Sequence, residues 1–274
     1  MCIRDRRYPG RDWVDYMNNS IKELVDLYHP SILWGDVTDG PIKDVRGRSL
    51  PADYWGSKQV LAYFYNHSEK PAEVLANDRW GTDLDGKMLG DFATPERARM
   101  NRIRTDKWET CDSLDPFSWG YNRNLKPSDT MTTNQLVDYL VDVVSKNGNL
   151  LINIGPKADG SIPDYAVKVL QGVGEWLKIN GEAIYGSHYW ETYKDGDIRF
   201  TRKGNVLYAI ALEWPEEEIR LTSLAGKKVT KVEMLGLGEA IQWKADSGAL
   251  VIQPPSKRPC RYAYTCLLYT SRCV

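Results

Sequence analysis

Residues Asn134–Ile154, NQLVDYLVDVVSKNGNLLINI, contain the pattern that decides the fold. Asn134–Lys146 places its apolar side chains on one face at helical spacing, so it predicts an amphipathic helix. Asn149–Ile154 is a short, mostly apolar run, which is typical of a strand buried on both faces of a parallel sheet. A helix followed closely by such a strand is one repeating unit of an α/β fold.

The same alternation of helix and strand extends over residues 7–184. Outside the first stretch, the predicted helices are Asp12–Tyr28, Tyr54–Tyr65 and Tyr165–Lys178, and the predicted strands are Ser31–Trp34, Glu73–Ala76 and Lys107–Thr110. Residues 81–106 predict a long loop, and loops of that length are usually functional. This rhythm indicates part of a (β/α) barrel. A doubly wound sheet has the same rhythm and is the alternative, although no glycine-rich dinucleotide loop follows any strand.

The pattern changes after Ile184. Short strand-like runs separated by turns predict a small antiparallel β-sandwich over residues 185–265. The runs are Ile198–Thr201, Val206–Ala211, Ile219–Leu221, Val229–Met234, Glu239–Trp243, Ala249–Ile252 and Arg261–Thr265. We therefore expect an α/β region followed by an all-β region, that is, a partial barrel over residues 7–184 and then the sandwich.

The two ends of the chain differ from the rest. Four of the five cysteines lie near them, at Cys2, Cys260, Cys266 and Cys273, whereas a disulfide scaffold would distribute its cysteines along the chain. Residues 1–6 and 266–274 also lack the features of a signal peptide or a capped element. We expect both segments to be foreign to the natural protein, and we set them aside from the predicted fold.

The overall composition excludes several classes of partner. Lys and Arg number 36 against 37 Asp and Glu, so a net charge of −1 offers no positive field for nucleic acid. No apolar run approaches the roughly 18–20 residues of a membrane span. The three histidines lack ligand spacing, so we expect no metal and no cofactor. Ten Trp and 16 Tyr suit a sugar-binding cleft, although composition alone favours an aromatic core as their explanation.

Polar residues follow two of the predicted strands directly. Asp36 comes two residues after Trp34, where a carboxylate can act as a nucleophile, a metal ligand or a helix N-cap. Arg79 occupies the equivalent place after another strand. It can donate hydrogen bonds to ligand hydroxyls, or it can form a structural ion pair with Asp78.

Two glutamates complete the set of candidate acids and bases. Glu96 lies in the long loop, and Glu109 lies on the strand that follows it. Two carboxylates on converging loops, with aromatic platforms nearby, fit glycoside hydrolysis. The residues taken singly support no more than a barrel-like hydrolase.

Taken together, the motifs resemble the α-L-fucosidases of glycoside hydrolase family 29. No single motif decides the resemblance, which depends on their order and spacing over roughly residues 10–265. The stretches that carry it are Ile32–Asp36, Asn77–Gly81, Gly90–Glu96, Lys107–Cys111, Phe117–Tyr121, Asn147–Pro156, Asp159–Gly160 and Trp176–Tyr185.

The resemblance implies a role for each candidate residue. Asp36 matches the nucleophile of the family, and Glu96 matches its general acid/base, with Glu109 as a competing assignment. Trp34, Arg79 and Trp119 match residues that line the fucose pocket. The implied enzyme is a retaining α-L-fucosidase that removes terminal fucose from glycans, uses no cofactor or metal, and carries a β-sandwich after its barrel.

The resemblance begins in the middle of the family's barrel. It therefore implies that the N-terminal half of the barrel is missing and that this chain alone is inactive. It also implies a periplasmic or secreted location, or a lysosomal one in a eukaryote, with the signal peptide upstream. Two alternatives stay open: a barrel lyase or epimerase that uses the same carboxylates, and a non-catalytic carbohydrate-binding protein. The latter would bind through sandwich aromatics at Tyr189, Trp190, Trp214 and Trp243.

Overall fold

The structure is a computed structural model that describes residues 11–36, 54–83 and 85–270. The first predicted foreign segment and the end of the second, residues 271–274, lie outside the described residues. The chain divides into two compact units, Met1–Thr94 and Pro95–Val274, which we call the N-terminal and C-terminal units.

The N-terminal unit alternates helix and strand as predicted. Its elements are α1 (Arg11–Tyr28), β1 (Ile32–Leu33), α2 (Ser57–Asn66) and β2 (Leu75–Ala76). The two short strands run parallel, with Ile32 opposite Leu75, and Asn77 forms a further parallel bridge with Phe92. The α2 side chains Val60 and Leu61 pack with Ala76 and Trp80 in the core of this unit.

The C-terminal unit begins with a second set of parallel strands and helices. These elements are β3 (Trp108–Ser113), α3 (Thr133–Ser145), β4 (Gly148–Asn153) and α4 (Asp164–Asn180). A capping box starts α3, because the Thr132 hydroxyl accepts from the Gln135 amide and the Gln135 side chain accepts from the Thr132 amide. The β3 and β4 strands pair in parallel with Trp108 opposite Gly148, so residues 134–154 form the helix and the parallel strand that their pattern predicts.

The residues after 185 form the predicted sandwich. The strands are β5 (Lys194–Asp195), β6 (Ile198–Lys203), β7 (Val206–Ala211), β8 (Ile219–Leu221), β9 (Val229–Met234), β10 (Trp243–Ala245), β11 (Leu250–Ile252) and β12 (Tyr264–Thr270). A five-stranded antiparallel sheet has the order β5-β6-β7-β12-β9, and a three-stranded antiparallel sheet has the order β10-β11-β8. Side chains of both sheets, including Phe200, Leu207, Leu221 and Leu250, share one core.

The outer face of the five-stranded sheet packs against the helices. Tyr208 and Leu267 from the sheet lie in one core cluster with Leu136 of α3 and Trp176 of α4. The Trp176 indole N–H also donates to the Ala263 carbonyl at 2.8 Å. The secondary structure therefore changes near residue 185 as predicted, whereas the compact units divide at residues 94 and 95.

Most predicted strands differ from the observed ones by one to three residues at an end, and two differ by more. The predicted strand Glu239–Trp243 is wrong, because β10 begins at Trp243, where pairing with Ile252 of β11 becomes possible. The sequence predicts that the last strand ends at Thr265, but β12 continues to Thr270 between β7 and β9. The exclusion of residues 266–270 from the predicted fold is therefore wrong, since they form most of an interior strand of the sheet. Their foreign origin stays a prediction.

Candidate functional site

The side chain of Asn77 fixes the segment that follows β1. Its Oδ1 accepts from the Gly35 amide at 2.7 Å and from the Trp80 indole N–H at 3.1 Å, and its Nδ2 donates to the Gly35 carbonyl at 2.8 Å. Asn77 is fully buried. The end of β2 therefore holds the backbone between Trp34 and Asp36 in a fixed position.

Gly35 is required by this arrangement. A Cβ atom added there would lie 2.4 Å from the Trp80 ring, which is too close for two non-bonded carbon atoms. The absence of a side chain lets the backbone between Trp34 and Asp36 approach the indole closely.

Arg79 joins two of the predicted site residues. Its Nη1 lies 3.1 Å from the Asp36 Oδ1, and its guanidinium carbon lies 5.1 Å from the centre of the Trp34 ring. Thr94 holds the other edge of the guanidinium, accepting from Nε at 3.2 Å and, through its carbonyl, from Nη2 at 2.9 Å. Arg79 therefore forms an ion pair with Asp36, while Asp78 accepts from the Thr94 amide and hydroxyl.

The two partners of this ion pair differ in exposure. The Arg79 side chain is 14% exposed and the Asp36 side chain is 73% exposed. A fixed positive charge thus lies against one carboxylate oxygen, while much of the carboxylate stays accessible. This is an arrangement in which a carboxylate can reach a ligand while a hydrogen-bond donor orients it.

Glu96 lies in the C-terminal unit beside β3. It forms a parallel bridge with Cys111, in which the Arg97 amide donates to the Cys111 carbonyl at 2.8 Å. Glu109 lies two residues before Cys111, which places it about 7 Å nearer the amino end of the strand. Ligands of parallel α/β sheets bind at the carboxyl ends of the strands, and Glu96 lies nearer that end than Glu109 does.

The loop after β3 presents Trp119. Asn153 at the end of β4 donates to the Trp119 carbonyl at 2.6 Å, and the Ser113 hydroxyl donates to the Ser118 carbonyl at 3.1 Å. The Trp119 side chain stays 39% exposed, and the Arg97 guanidinium lies 4.9 Å from its ring centre. Trp119 is therefore an accessible ring held at the same end of the strands as Glu96.

The structure thus groups the predicted site residues into two clusters. Trp34, Asp36 and Arg79 lie together in the N-terminal unit. Glu96 and Trp119 lie near the carboxyl end of β3 in the C-terminal unit. Sequence reasoning included Asn77 in a motif but missed its role, for which the only signal was an amide residue directly after a strand.

The comparison with protein families decides how these clusters are interpreted. A family profile described as Alpha-L-fucosidase matches residues 4–182. The chain belongs to the α-L-fucosidase family, which is glycoside hydrolase family 29. A second profile, described as Alpha-L-fucosidase C-terminal domain, matches residues 192–268, which include most of the sandwich.

Individual α-L-fucosidases match over most of the chain. The plasma α-L-fucosidase of Rattus norvegicus is 37% identical over 261 residues, covering 90% of this chain and 54% of the relative. The tissue α-L-fucosidase of Homo sapiens is 36% identical over 252 residues, covering 89% of this chain and 52% of the relative. The chain spans about half the length of the curated relatives it matches.

Solved α-L-fucosidase structures share the fold. The structure of a Thermotoga maritima α-fucosidase in complex with a mechanism-based inhibitor is 36% identical, with a TM-score of 0.77, and the match covers 94% of this chain and 57% of that chain. The α-L-fucosidase isoenzyme 1 of Paenibacillus thiaminolyticus is 28% identical, with a TM-score of 0.80, and covers 98% and 64% respectively.

The sandwich aromatics of this family member mostly serve the core. Trp190 is 2% exposed and packs edge-on against Phe200, with the ring centres 4.9 Å apart. Trp214 and Trp243 are half-buried against the same core cluster. Packing in the core therefore accounts for Trp190, Trp214 and Trp243, which are three of the four sandwich aromatics that the carbohydrate-binding alternative would use.

Over residues 11–36, 54–83 and 85–270, three or more His, Cys, Asp or Glu side chains nowhere cluster in a way that could hold a metal ion. Over the same ranges, every helix is too short or too polar to cross a bilayer.

Proposed function

We propose that this chain carries the catalytic carboxylates of a retaining α-L-fucosidase that hydrolyses terminal α-L-fucose from glycans. The observation that carries the proposal is the group formed by Asp36, Arg79 and Trp34. It combines an accessible carboxylate, a partly buried cation that orients it, and an aromatic ring on which the apolar face of a sugar can pack. Membership of the family supports the choice of fucose.

In the first step, a carboxylate oxygen of Asp36 attacks the anomeric carbon of the bound fucoside. The bond to the glycosidic oxygen breaks as Glu96 gives its proton to that oxygen, and a fucosyl ester of Asp36 forms. The step requires the two carboxyl groups to lie about 5–5.5 Å apart, the separation of retaining glycosidases.

In the second step, Glu96 takes a proton from a water molecule as the water oxygen attacks the anomeric carbon. The ester bond breaks, Asp36 recovers its carboxylate, and Glu96 is protonated again for the next cycle. Two displacements at one carbon restore its original configuration. Trp34 and Trp119 pack on the apolar face and the methyl group of the fucose.

We further propose that the chain is a partial barrel without its N-terminal half, and that it is inactive alone. The match to only 54% and 52% of two curated relatives supports this proposal. The exposed apolar side chains of α1 and β1 also support it, since Tyr16 is 71% exposed, Leu27 is 63% exposed and Ile32 is 55% exposed. A completed barrel would cover such surfaces.

The full enzyme is proposed to act on fucosylated glycans in a secretory compartment. The name of one relative, plasma α-L-fucosidase, supports a secreted location. A lysosomal location in a eukaryote, or a periplasmic one in a bacterium, follows only from the family resemblance.

Hydrolysis of an aryl α-L-fucoside tests the activity. The assay compares the bare chain with the same chain fused to the N-terminal half of the Thermotoga maritima relative, and NMR identifies the first-formed anomer of fucose. We expect the fused enzyme, which we call the restored enzyme, to release α-L-fucose, whereas the bare chain releases none. Asp36→Asn should abolish this activity, and Asp85→Asn, at an exposed carboxylate, should not.

Three results would overturn parts of the proposal. Release of β-L-fucose as the first product would contradict the retaining mechanism. Failure of the restored enzyme to release any fucose would contradict the activity and leave room for a lyase or epimerase. Rapid turnover by the bare chain would contradict the need for the missing half.

A further inference from the structure

Arg97 has a backbone conformation that is unusual for its residue type. Its φ is +51°, in the left-handed region that side chains with a Cβ rarely adopt. Within the described residues, only His29 and Asn147 share a positive φ among the non-glycine residues. Arg97 directly follows Glu96, and its amide donates to the Cys111 carbonyl at 2.8 Å. The backbone conformation of Arg97 therefore sets the direction of the chain immediately after Glu96.

The side chain of Arg97 makes three further contacts. Its Nη1 donates to the Pro116 carbonyl at 2.5 Å, and its Nε lies 3.7 Å from a carboxylate oxygen of the buried Asp112. Its guanidinium carbon lies 4.9 Å from the centre of the Trp119 ring. A single residue thus connects the backbone beside Glu96, the end of β3 and the loop that carries Trp119.

Strained backbone persists only where the surrounding contacts determine it, and it occurs often at functional sites. The contacts of Arg97 meet that description, because its amide and its guanidinium are both held by β3 or by the following loop. If Arg97 adopted the usual negative φ, the peptide that carries Glu96 would rotate. If the guanidinium were removed, the Trp119 loop would lose a hydrogen bond and a ring contact, and Asp112 of β3 would lose an ion pair.

We propose that Arg97 is a positioning residue that orients Glu96 through its left-handed backbone and holds Trp119 through its guanidinium. This proposal rests on the proposed function, in which Glu96 is the acid/base and Trp119 lines the fucose pocket. The two actions of Arg97 are separable, because glycine keeps a positive φ at no steric cost but has no guanidinium.

Two substrates separate these actions in the restored enzyme. α-L-Fucosyl fluoride has a leaving group that needs little protonation, whereas a fucosyl disaccharide needs a well-placed acid. Arg97→Ala removes the guanidinium and favours a negative φ. We expect it to lower kcat/KM for the disaccharide about tenfold or more beyond its effect on the fluoride.

Arg97→Gly permits the positive φ and removes the guanidinium, together with its contacts to Asp112, the Pro116 carbonyl and Trp119. We expect it to raise KM for both substrates by a similar factor. Its ratio of kcat/KM for the disaccharide to kcat/KM for the fluoride should therefore be close to that of the unchanged enzyme, in contrast to the low ratio of Arg97→Ala. Arg102→Ala, at an exposed arginine of the same loop, is the matched control and should change neither value. A loss of folded enzyme would lower the activity on both substrates by the same factor, so it would not change the ratio of the two kcat/KM values.

The outcomes distinguish this proposal from the one on which it rests. If the restored enzyme does not hydrolyse fucosyl fluoride, the proposed function is wrong. If Glu96→Ala does not lower the disaccharide-to-fluoride ratio, the acid/base assignment is wrong. If both of those results are as expected, but Arg97→Ala leaves the ratio unchanged, the positioning role of Arg97 is overturned.

Discussion

Replacement of Asn77 by alanine tests the contact that holds the nucleophile segment. The change removes three hydrogen bonds, each with a net worth of about 1 kcal/mol. It also leaves the amide and carbonyl of Gly35 and the indole N–H of Trp80 in the core of the N-terminal unit. A buried polar group without a partner costs about 1–3 kcal/mol. Some water can enter the space of the deleted amide, so we expect the free energy of unfolding to fall by about 3–5 kcal/mol.

Urea denaturation followed by tryptophan fluorescence measures this change, since Trp80 is one of the affected groups. Asn124→Ala is the matched control, because Asn124 is exposed and such changes usually stay within about 0.5 kcal/mol. In the restored enzyme, Asn77→Ala should also lower kcat, since Asp36 follows the released Gly35 directly. A loss below about 1 kcal/mol would contradict the account of Asn77 as the group that fixes this segment.

Two further predictions concern α4 and α3. Gly174→Ala should stabilise the protein by about 0.5–1 kcal/mol, because a Cβ there meets open space in a helix interior, whereas Gly172→Ala should destabilise it, because a Cβ would lie 2.7 Å from Thr133. Urea denaturation of both variants checks this, and equal effects would contradict it. Burial, with the nearby Glu213 carboxylate, raises the pKa of Asp138 from 3.8 to about 6. Between about pH 4 and pH 6 the folded state therefore holds a proton on Asp138 that the unfolded state has lost, and the protein loses stability as the pH rises through that range. Asp138→Asn should therefore raise the thermal midpoint at pH 7.5 and flatten its pH dependence between pH 4 and 6, and an unchanged pH dependence would contradict this assignment.

Much of the fold could be predicted because it depends on local periodicity. The predicted helix Asp12–Tyr28 differs from α1 by one residue, and the predicted strands Val206–Ala211 and Val229–Met234 have the observed bounds. The strand at Glu239–Trp243 could not be placed, since its pairing with β11 decides where it begins. The unpredicted β5, two residues long, likewise exists only through its pairing with β6.

The candidate site could be predicted in part for the same reason. Asp36 and Arg79 were found because each follows a strand, a position that the sequence shows directly. The contact between Asn77 and Gly35 joins residues 42 positions apart in the sequence, so no local sequence pattern predicts it. The role of Arg97 depends on a left-handed backbone that is common for glycine and rare for arginine, so the sequence alone argues against it.

The configuration of the azide products tests the central claim most directly, which is that Asp36 is the nucleophile and Glu96 the acid/base. Alanine variants of each residue in the restored enzyme are given an activated α-L-fucoside and sodium azide, and NMR assigns the products. In Asp36→Ala, azide takes the place of the carboxylate in a single displacement, so the account predicts β-L-fucosyl azide. In Glu96→Ala, azide attacks the fucosyl ester of Asp36, so the account predicts α-L-fucosyl azide. The same configuration from both variants, or no azide product from either, would contradict the claim.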